Sequence, residues 1–280
     1  MYLKFYGFTK KPFNLIPDPE FMHFSEKHKL AYSLLEYGVY EQTGLTVITG
    51  EIGSGKTTLL RYLLKKMNHQ EIVVGLIDNT HDSLGDLPGW IATAFNIDYQ
   101  GQDKAKLYRE IQHYIIKQYS AGKRVLLIVD EAQNMSDATL EELRLLMNIN
   151  SGSDLLLQII LVGQPELLTT LLKPNLTQLA QRVSVEYHLE ALSLTETNAY
   201  ISHRVKTANG GGEIFDQLAI EQIYKYSGGI PRLINVLCDN ALVYGYALDR
   251  ELIGGDIILD VVKTRKIGAL NRNSKNTEIV

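Results

Sequence analysis

The 280-residue sequence contains a single cysteine, Cys238. One thiol cannot form an internal disulfide, which excludes a disulfide-stapled fold and predicts a reducing compartment. No apolar run approaches the roughly 20 residues that a membrane-spanning helix needs, and the first residues contain no apolar core of signal-peptide length. We therefore expect a cytoplasmic protein without a transmembrane segment. Any contact with the inner face of the cytoplasmic membrane is expected to be peripheral and made through a partner.

An excess of positive charge is also missing. Lys and Arg number 28 against 32 Asp and Glu, so the formal net charge is −4. Proteins that bind nucleic acid broadly through phosphates usually carry the opposite sign, which makes nucleic acid a less favoured partner without excluding it. Hydrophobic residues make up 45% and charged residues 21%. That balance is typical of a globular protein and excludes extended disorder, except at the ends.

Prolines are few and unevenly placed. Three of the seven, Pro12, Pro17 and Pro19, lie in segment 1–24, which is also rich in Phe and Tyr. Because prolines oppose a helix, we predict an extended amino-terminal arm over 1–24 that is anchored by its aromatic rings. Two interpretations stay open at this stage, a tail held on the surface by its rings and a segment that contributes to a ligand pocket.

The rest of the chain alternates between short apolar runs and longer amphipathic stretches. The alternation predicts an α/β fold with a parallel sheet covered on both faces, in a domain over 25–191. A second, all-helical domain is predicted over 192–267, followed by a disordered tail over 268–280. The five predicted strands are 45–49, 72–77, 125–129, 156–162 and 183–187.

A glycine-rich segment, GEIGSGKT, lies between the first predicted strand and the helix after it. This is the P-loop pattern in its required setting, and backbone N–H groups of such loops bind phosphates at a helix N-terminus. Lys56 is expected to contact the β- and γ-phosphates, and the Thr57 hydroxyl to bind Mg²⁺. A chance glycine-rich turn is the weaker interpretation. The predicted nucleotide-binding residues are Gly50, Glu51, Ile52, Gly53, Ser54, Gly55, Lys56, Thr57, Thr58 and Asp130.

Two acidic residues, Asp130 and Glu131, follow the buried strand at 125–129. Ligands of open α/β sheets bind at the carboxyl ends of the strands. We predict that Asp130 holds Mg²⁺ through water, which makes Thr57 and Asp130 the metal-binding pair, and that Glu131 polarises the attacking water. A solvated Asp-Glu turn is the weaker interpretation beside a P-loop.

Polar residues follow two other strands. Gln164 ends the fourth strand, where its amide could orient the same water, although a simple helix start before Pro165 is the alternative. Asn79 follows the second strand. It is either a partner that holds Glu131 in a resting position or an ordinary turn asparagine.

Two arginines are predicted to sense or stabilise phosphate charge. Arg182 comes immediately before the fifth strand, and we expect it at the end of the sheet that carries the P-loop, where a neighbouring subunit would dock. Arg232 opens a helix of the predicted helical domain after Pro231. A trans arginine stabilises the transferred phosphoryl group, and a cis arginine reports the nucleotide state. Surface ion pairing is the alternative for both.

The ordered set of motifs resembles the general secretion pathway protein A (ExeA-type) AAA+ ATPases, and most closely the short members associated with exopolysaccharide export and exosortase loci. The resemblance covers about residues 2–266. It implies that Lys56, Thr57, Asp130 and Glu131 are Walker A and B residues, Gln164 sensor 1, Arg182 the arginine finger and Arg232 sensor 2. It also implies a sheet in the order 5-1-4-3-2 with a helical lid. The segments that carry it are Phe5–Phe8, Lys11–Phe13, Pro17–Phe21, Gly50–Thr58, Val129–Asn134, Leu161–Leu167, Gln181–Arg182 and Gly228–Asn235.

The resemblance implies a Mg²⁺-dependent ATPase that forms homo-oligomers and couples ATP binding and hydrolysis to a bacterial envelope secretion or exopolysaccharide export system. Longer family members add a membrane span and a peptidoglycan-binding domain, which this sequence does not contain. Related AAA+ proteins regulate transposition, so the alternative is a DNA-associated ATPase. A nucleotide-binding switch that barely hydrolyses ATP is a third possibility. The choice of ATP over GTP depends on the resemblance alone.

Overall fold

The computed structural model describes residues 1–16, 18–78, 86–98, 103–151, 154–209 and 212–264. Five strands form one parallel sheet: β1 Leu45–Gly50, β2 Ile72–Ile77, β3 Arg124–Val129, β4 Leu157–Gly163 and β5 Val183–Leu189. Their order across the sheet is β2-β3-β4-β1-β5. Counted from the other edge, this is the 5-1-4-3-2 order that the resemblance implied, and the α/β prediction is confirmed.

The burial of each strand explains its sequence pattern. The central strands β1, β3 and β4 are buried at nearly every residue, which matches their continuous apolar runs. The edge strands β2 and β5 mix buried with exposed positions, as expected where one face or edge meets solvent. The central strands therefore form the buried middle of the sheet, and their carboxyl ends lie along one edge.

Most helices lie where the amphipathic pattern placed them. Asp or Ser side chains cap several of them, and α9 begins with a complete capping box between Ser193 and Glu196. The helices are α1 Tyr2–Phe5, α2 Glu26–Tyr40, α3 Lys56–Lys66, α4 Leu87–Ala94, α5 Lys104–Ser120, α6 Asp137–Leu146, α7 Glu166–Leu171, α8 Thr177–Ala180, α9 Leu194–Thr207, α10 Gln217–Ser227, α11 Pro231–Ala247 and α12 Gly255–Thr264.

The structure corrects the sequence prediction in the amino-terminal arm. Residues Tyr2–Phe5 form a short helix and Pro19–Phe21 a 3₁₀ turn, so the arm is not extended throughout. The prolines begin only at Pro12 and cannot restrict the first turn, while Pro19 starts its turn, a position that suits proline. A two-stranded ribbon of Asn150–Ser151 and Asp154–Leu155 was not predicted either.

The chain divides into two compact units. One comprises Met1–His28, Glu51–Leu59 and Glu190–Val280, and the other comprises Lys29–Gly50 and Leu60–Leu189. The first unit therefore groups the arm with the helical segment, whereas the sequence suggested separate segments at 1–24, 25–191 and 192–267. The functional domain limits stay a prediction, and the tail at 268–280 lies outside the described residues.

The arm supplies core residues of the first unit. Phe13 is 1% exposed and meets Phe215 edge-to-face. Arg204, on α9, is buried and donates hydrogen bonds to the carbonyl oxygens of Pro12 and Asn14 and to the Tyr200 hydroxyl. A guanidinium with this many partners is stabilised in a buried position. The arm is thus held by both rings and charge-assisted hydrogen bonds.

None of the helices within the described residues is both long enough and apolar enough to span a bilayer.

Candidate functional site

The glycine-rich segment forms a tight loop between β1 and α3. The strand ends at Gly50 and the helix begins at Lys56. Gly53 and Gly55 have φ values of +82° and +110°, which side chains with a Cβ rarely adopt. The Ser54 N–H donates to the Glu51 carbonyl at 3.1 Å and closes the turn. The glycine pattern is therefore required by the backbone of this loop.

The loop has the groups that a phosphate needs. Lys56 is 8% exposed, and its Nζ donates to the Glu51 carbonyl oxygen at 3.0 Å. The Ser54 hydroxyl is buried and has no hydrogen-bond partner in the part of the chain that the structure describes. Thr57 is the second residue of the eleven-residue helix α3, whose first N–H groups lack intrahelical acceptors. These residues fit an anionic phosphate group and an associated Mg²⁺.

Arg232 contacts the loop through its backbone. It is the second residue of α11, and its backbone N–H donates to the Gly53 carbonyl at 3.1 Å. A Cβ on Gly53 would lie 2.3 Å from the Cβ of Arg232. Glycine is therefore required at position 53 for two reasons: the backbone conformation and the close approach of α11.

His28 is a loop contact that sequence reasoning missed. The ring is 4% exposed; its Nε2 lies 3.2 Å from the Ser54 carbonyl oxygen, and its Nδ1 lies 2.8 Å from the Ser25 hydroxyl. A carbonyl only accepts, so Nε2 carries the proton and donates. Burial lowers the pKa of His28 below its ordinary value of 6.5, against the opposing effect of the Ser54 carbonyl. A neutral ring therefore supports the loop.

The two predicted acids lie together at the carboxyl end of β3. Asp130 is 8% exposed, and its Oδ1 accepts the Glu131 N–H at 2.9 Å. Glu131 has φ 54° and ψ 35°, in the left-handed region. A residue with a Cβ is rarely found there, and such strain concentrates at functional sites.

Two amide side chains hold the Glu131 carboxylate. Its Oε2 accepts from Gln164 Nε2 at 3.3 Å, so the predicted neighbour at the end of β4 is in place. It also accepts from Gln133 Nε2 at 2.7 Å. Gln133 lies in the motif Val129–Asn134, where the sequence alone predicted no role for it. The other suggested partner, Asn79, lies outside the described residues.

The expected position of Arg182 is wrong. Val183, the next residue, pairs with Leu45 at the start of β1, whereas Gly50 pairs with Leu189 at the end of β5. Arg182 thus lies at the amino-terminal edge of the sheet, away from the edge where β1 ends. There its Nη2 donates to Asn148 Oδ1 at 2.5 Å. In a parallel sheet, a residue that precedes a strand always lies at that edge.

Comparison with known proteins agrees with this arrangement. Residues 39–171 match a protein family described as an AAA domain. Over 261 residues, 92% of its length, the chain is 39% identical to general secretion pathway protein A of Aeromonas hydrophila. The chain spans about half of that relative, 48% of its length.

Solved structures show the same fold at low sequence identity. The Aeropyrum pernix ORC2 protein, in ADPNP and ADP complexes, superposes with a TM-score of 0.67 at 16% identity over 91% of this chain and 72% of its own. Cdc6p from Pyrobaculum aerophilum gives 0.66 at 15% identity over 85% and 66%. The RuvB Holliday junction branch migration motor of Thermotoga maritima gives 0.55 at 18% identity over 88% and 70%. Residues 39–171 therefore match an AAA domain, the fold is that of P-loop NTPases, and most of the chain is similar in sequence to general secretion pathway protein A.

Proposed function

We propose that this protein is a Mg²⁺-dependent ATPase that works as a homo-oligomer within a bacterial envelope secretion or exopolysaccharide export system. The observation that carries the ATPase proposal is the glycine-rich loop ahead of α3, which contains the buried Lys56 and a buried Ser54 hydroxyl without a hydrogen-bond partner among the described residues. Such a loop serves phosphate binding in P-loop proteins. Lys56 would place its charge against the β- and γ-phosphates.

The acids after β3 are proposed to carry out hydrolysis. Thr57 and Asp130 would hold Mg²⁺, which supplies charge neutralisation for the phosphate oxygens when it is bound. Glu131 would act as the general base and take a proton from the attacking water. Gln164, whose amide meets the same carboxylate, would help to orient that water.

The arginines are proposed to act in different ways. Arg232 contacts the loop within its own chain and would report the nucleotide state in cis. Arg182 lies at the opposite edge of the sheet from Gly50, so its expected contact is with the nucleotide of a neighbouring subunit. A catalytic arginine in trans would make activity depend on oligomerisation.

The pathway is proposed from the relative in Aeromonas hydrophila, of which this chain spans 48%. Affinity purification of a tagged Glu131→Gln variant, which we expect to trap the ATP state, would identify the client in the native cell. Secretion or polysaccharide-export proteins would support the proposal. Recovery of transposase or DNA would instead favour the alternative function, a DNA-associated ATPase.

Two substitutions test the ATPase proposal directly. Lys56→Ala should abolish or severely weaken ATP binding, because the phosphates lose their nearest cation. Glu131→Gln should bind ATP normally but turn over roughly 10²–10⁴-fold more slowly. Fluorescent-nucleotide titration and phosphate-release assays measure the two effects. Normal ATP affinity in Lys56→Ala, or unchanged turnover in Glu131→Gln, would contradict the assignment of that residue.

A further inference from the structure

The side chain of Gln133 connects two strand ends of the site. Its Nε2 donates to Glu131 Oε2 at 2.7 Å, and its Oε1 accepts the backbone N–H of Gln164 at 3.0 Å. Glu131 follows β3 and Gln164 follows β4, so one amide joins the acid to the neighbouring strand. Gln164 Nε2 closes the arrangement with its 3.3 Å hydrogen bond to the same carboxylate oxygen.

The backbone N–H of Gln164 sets the orientation of the Gln133 amide. A backbone N–H can only donate, so it requires the oxygen end of the Gln133 side chain. The nitrogen end must then face Glu131. The rotated amide would place its oxygen against a carboxylate oxygen and its NH₂ against an N–H, which loses both hydrogen bonds. The Gln133 donor is thus already oriented toward the carboxylate.

The fold also makes room for this amide. A Cβ on Gly163, the last residue of β4, would lie 3.0 Å from Gln133 Oε1 and 2.9 Å from a methyl carbon of Leu167. The absence of a side chain at Gly163 therefore lets the amide reach the Gln164 N–H. The Glu131 backbone is in the left-handed region, which residues with a Cβ rarely adopt.

We propose that Gln133 is the positioning residue of the proposed general base: it holds the Glu131 carboxylate in the direction required to take a proton from water. This inference depends on the proposed ATPase function. Gln133 touches neither nucleotide nor water in this role and acts only through Glu131. Misplacement of a catalytic group by about 1 Å can cost on the order of 10²-fold in rate.

The test uses two substitutions that keep the length of the side chain. Gln133→Met removes donor and acceptor, and Gln133→Glu keeps the acceptor but turns an oxygen toward Glu131. Both should lower kcat about 10- to 100-fold while the Kd and KM for ATP stay near the wild-type values. The exposed Gln112→Met on α5 is the matched control and should leave kcat unchanged. Melting temperatures establish that each variant is folded.

A double-mutant cycle with Glu131→Gln separates positioning from a structural role. If Gln133 acts through Glu131, Gln133→Met should cause little further loss of kcat in the Glu131→Gln background. An equal loss in both backgrounds, a wild-type kcat in both Gln133 variants, or a change confined to KM would overturn the proposal. Unfolding of both variants would also overturn it, because Gln133 would then be a structural residue.

Failure of the proposed function gives a different result in the same cycle. In that case either the wild type shows no ATP turnover, or Glu131→Gln alone keeps the wild-type turnover, whatever the Gln133 variants do.

Discussion

At the residue scale, one imidazole joins the start of α2 to the phosphate-binding loop. His28 accepts from the Ser25 hydroxyl and donates to the Ser54 carbonyl, and the ring is almost fully buried. A Cβ on Gly55 would lie 3.0 Å from its Nε2. Among the described residues, Glu196 raises the pKa of this ring and Lys27 lowers it. Burial therefore favours the neutral ring, which accepts from Ser25 at Nδ1 and donates to Ser54 at Nε2.

We predict that this support makes stability depend on pH. The pKa of His28 is lowered from 6.5 in the folded state, so the unfolded chain binds the extra proton more readily. The contribution of His28 is complete above the unfolded pKa and is lost as the pH falls below 6.5 toward the folded value. Urea denaturation from about pH 8 to pH 5 measures the loss in the free energy of unfolding.

The His28→Gln variant is the comparison. It should be less stable than the wild type at pH 8, but its stability should decline less as the pH falls. The exposed His113→Gln controls for the loss of one imidazole. Equal pH dependence in the wild type and in His28→Gln would exclude His28 as the responsible group.

At the element scale, α11 packs against the phosphate-binding loop at a glycine. We predict that Gly53→Ala weakens ATP binding at least tenfold, because the new methyl group would overlap Arg232 at 2.3 Å and displace either the loop or the helix. The left-handed backbone, with φ +82°, adds about 1–2 kcal/mol of strain. Nucleotide titration and denaturation measure the two effects.

Gly212 offers a matched control. Its φ is +83°, but an added Cβ would have no atom of the described residues within 4 Å. Gly212→Ala should therefore lose only the strain contribution to stability, about 1–2 kcal/mol, and keep its ATP affinity. If both variants lose ATP affinity equally, the contact between α11 and the loop has no special effect on binding.

The elements were largely predictable, and the reason is physical. Central strands such as β3 are apolar after their first residue because both faces are covered, and the loop before α3 has a residue pattern imposed by its backbone. What the sequence could not show are contacts between distant segments. His28 and Ser54 are 26 residues apart, and the hydrogen bond from Gln164 to Gln133 spans 31. Neither separation corresponds to the repeat of a helix or a strand, so no sequence pattern indicates these contacts and only the fold brings the residues together.

At the scale of the whole molecule, the proposed role of Arg182 in trans predicts that activity depends on assembly. The residue lies at the amino-terminal edge of the sheet. The next residue, Val183, pairs with Leu45, which is five steps along β1 from Gly50, or roughly 16 Å at 3.3 Å per residue. Its guanidinium is bonded to Asn148 in the same chain. An arginine at this edge is a candidate for contact with the nucleotide of a neighbouring subunit.

We predict that Arg182→Ala leaves ATP binding by the monomer intact and removes most hydrolysis, because a trans arginine is worth roughly 10³–10⁵ in rate. Asn148→Ala removes the partner of Arg182 within its own chain and should leave hydrolysis nearly unchanged, which separates a role in trans from a structural one. Wild-type specific activity should also rise with protein concentration.

In mixtures, Arg182→Ala subunits contribute an intact P-loop and Lys56→Ala subunits an intact arginine, so activity should partly recover at the mixed interfaces. If mixing restores nothing although hetero-assembly is demonstrated, and activity per wild-type subunit is independent of concentration, Arg182 does not act in trans.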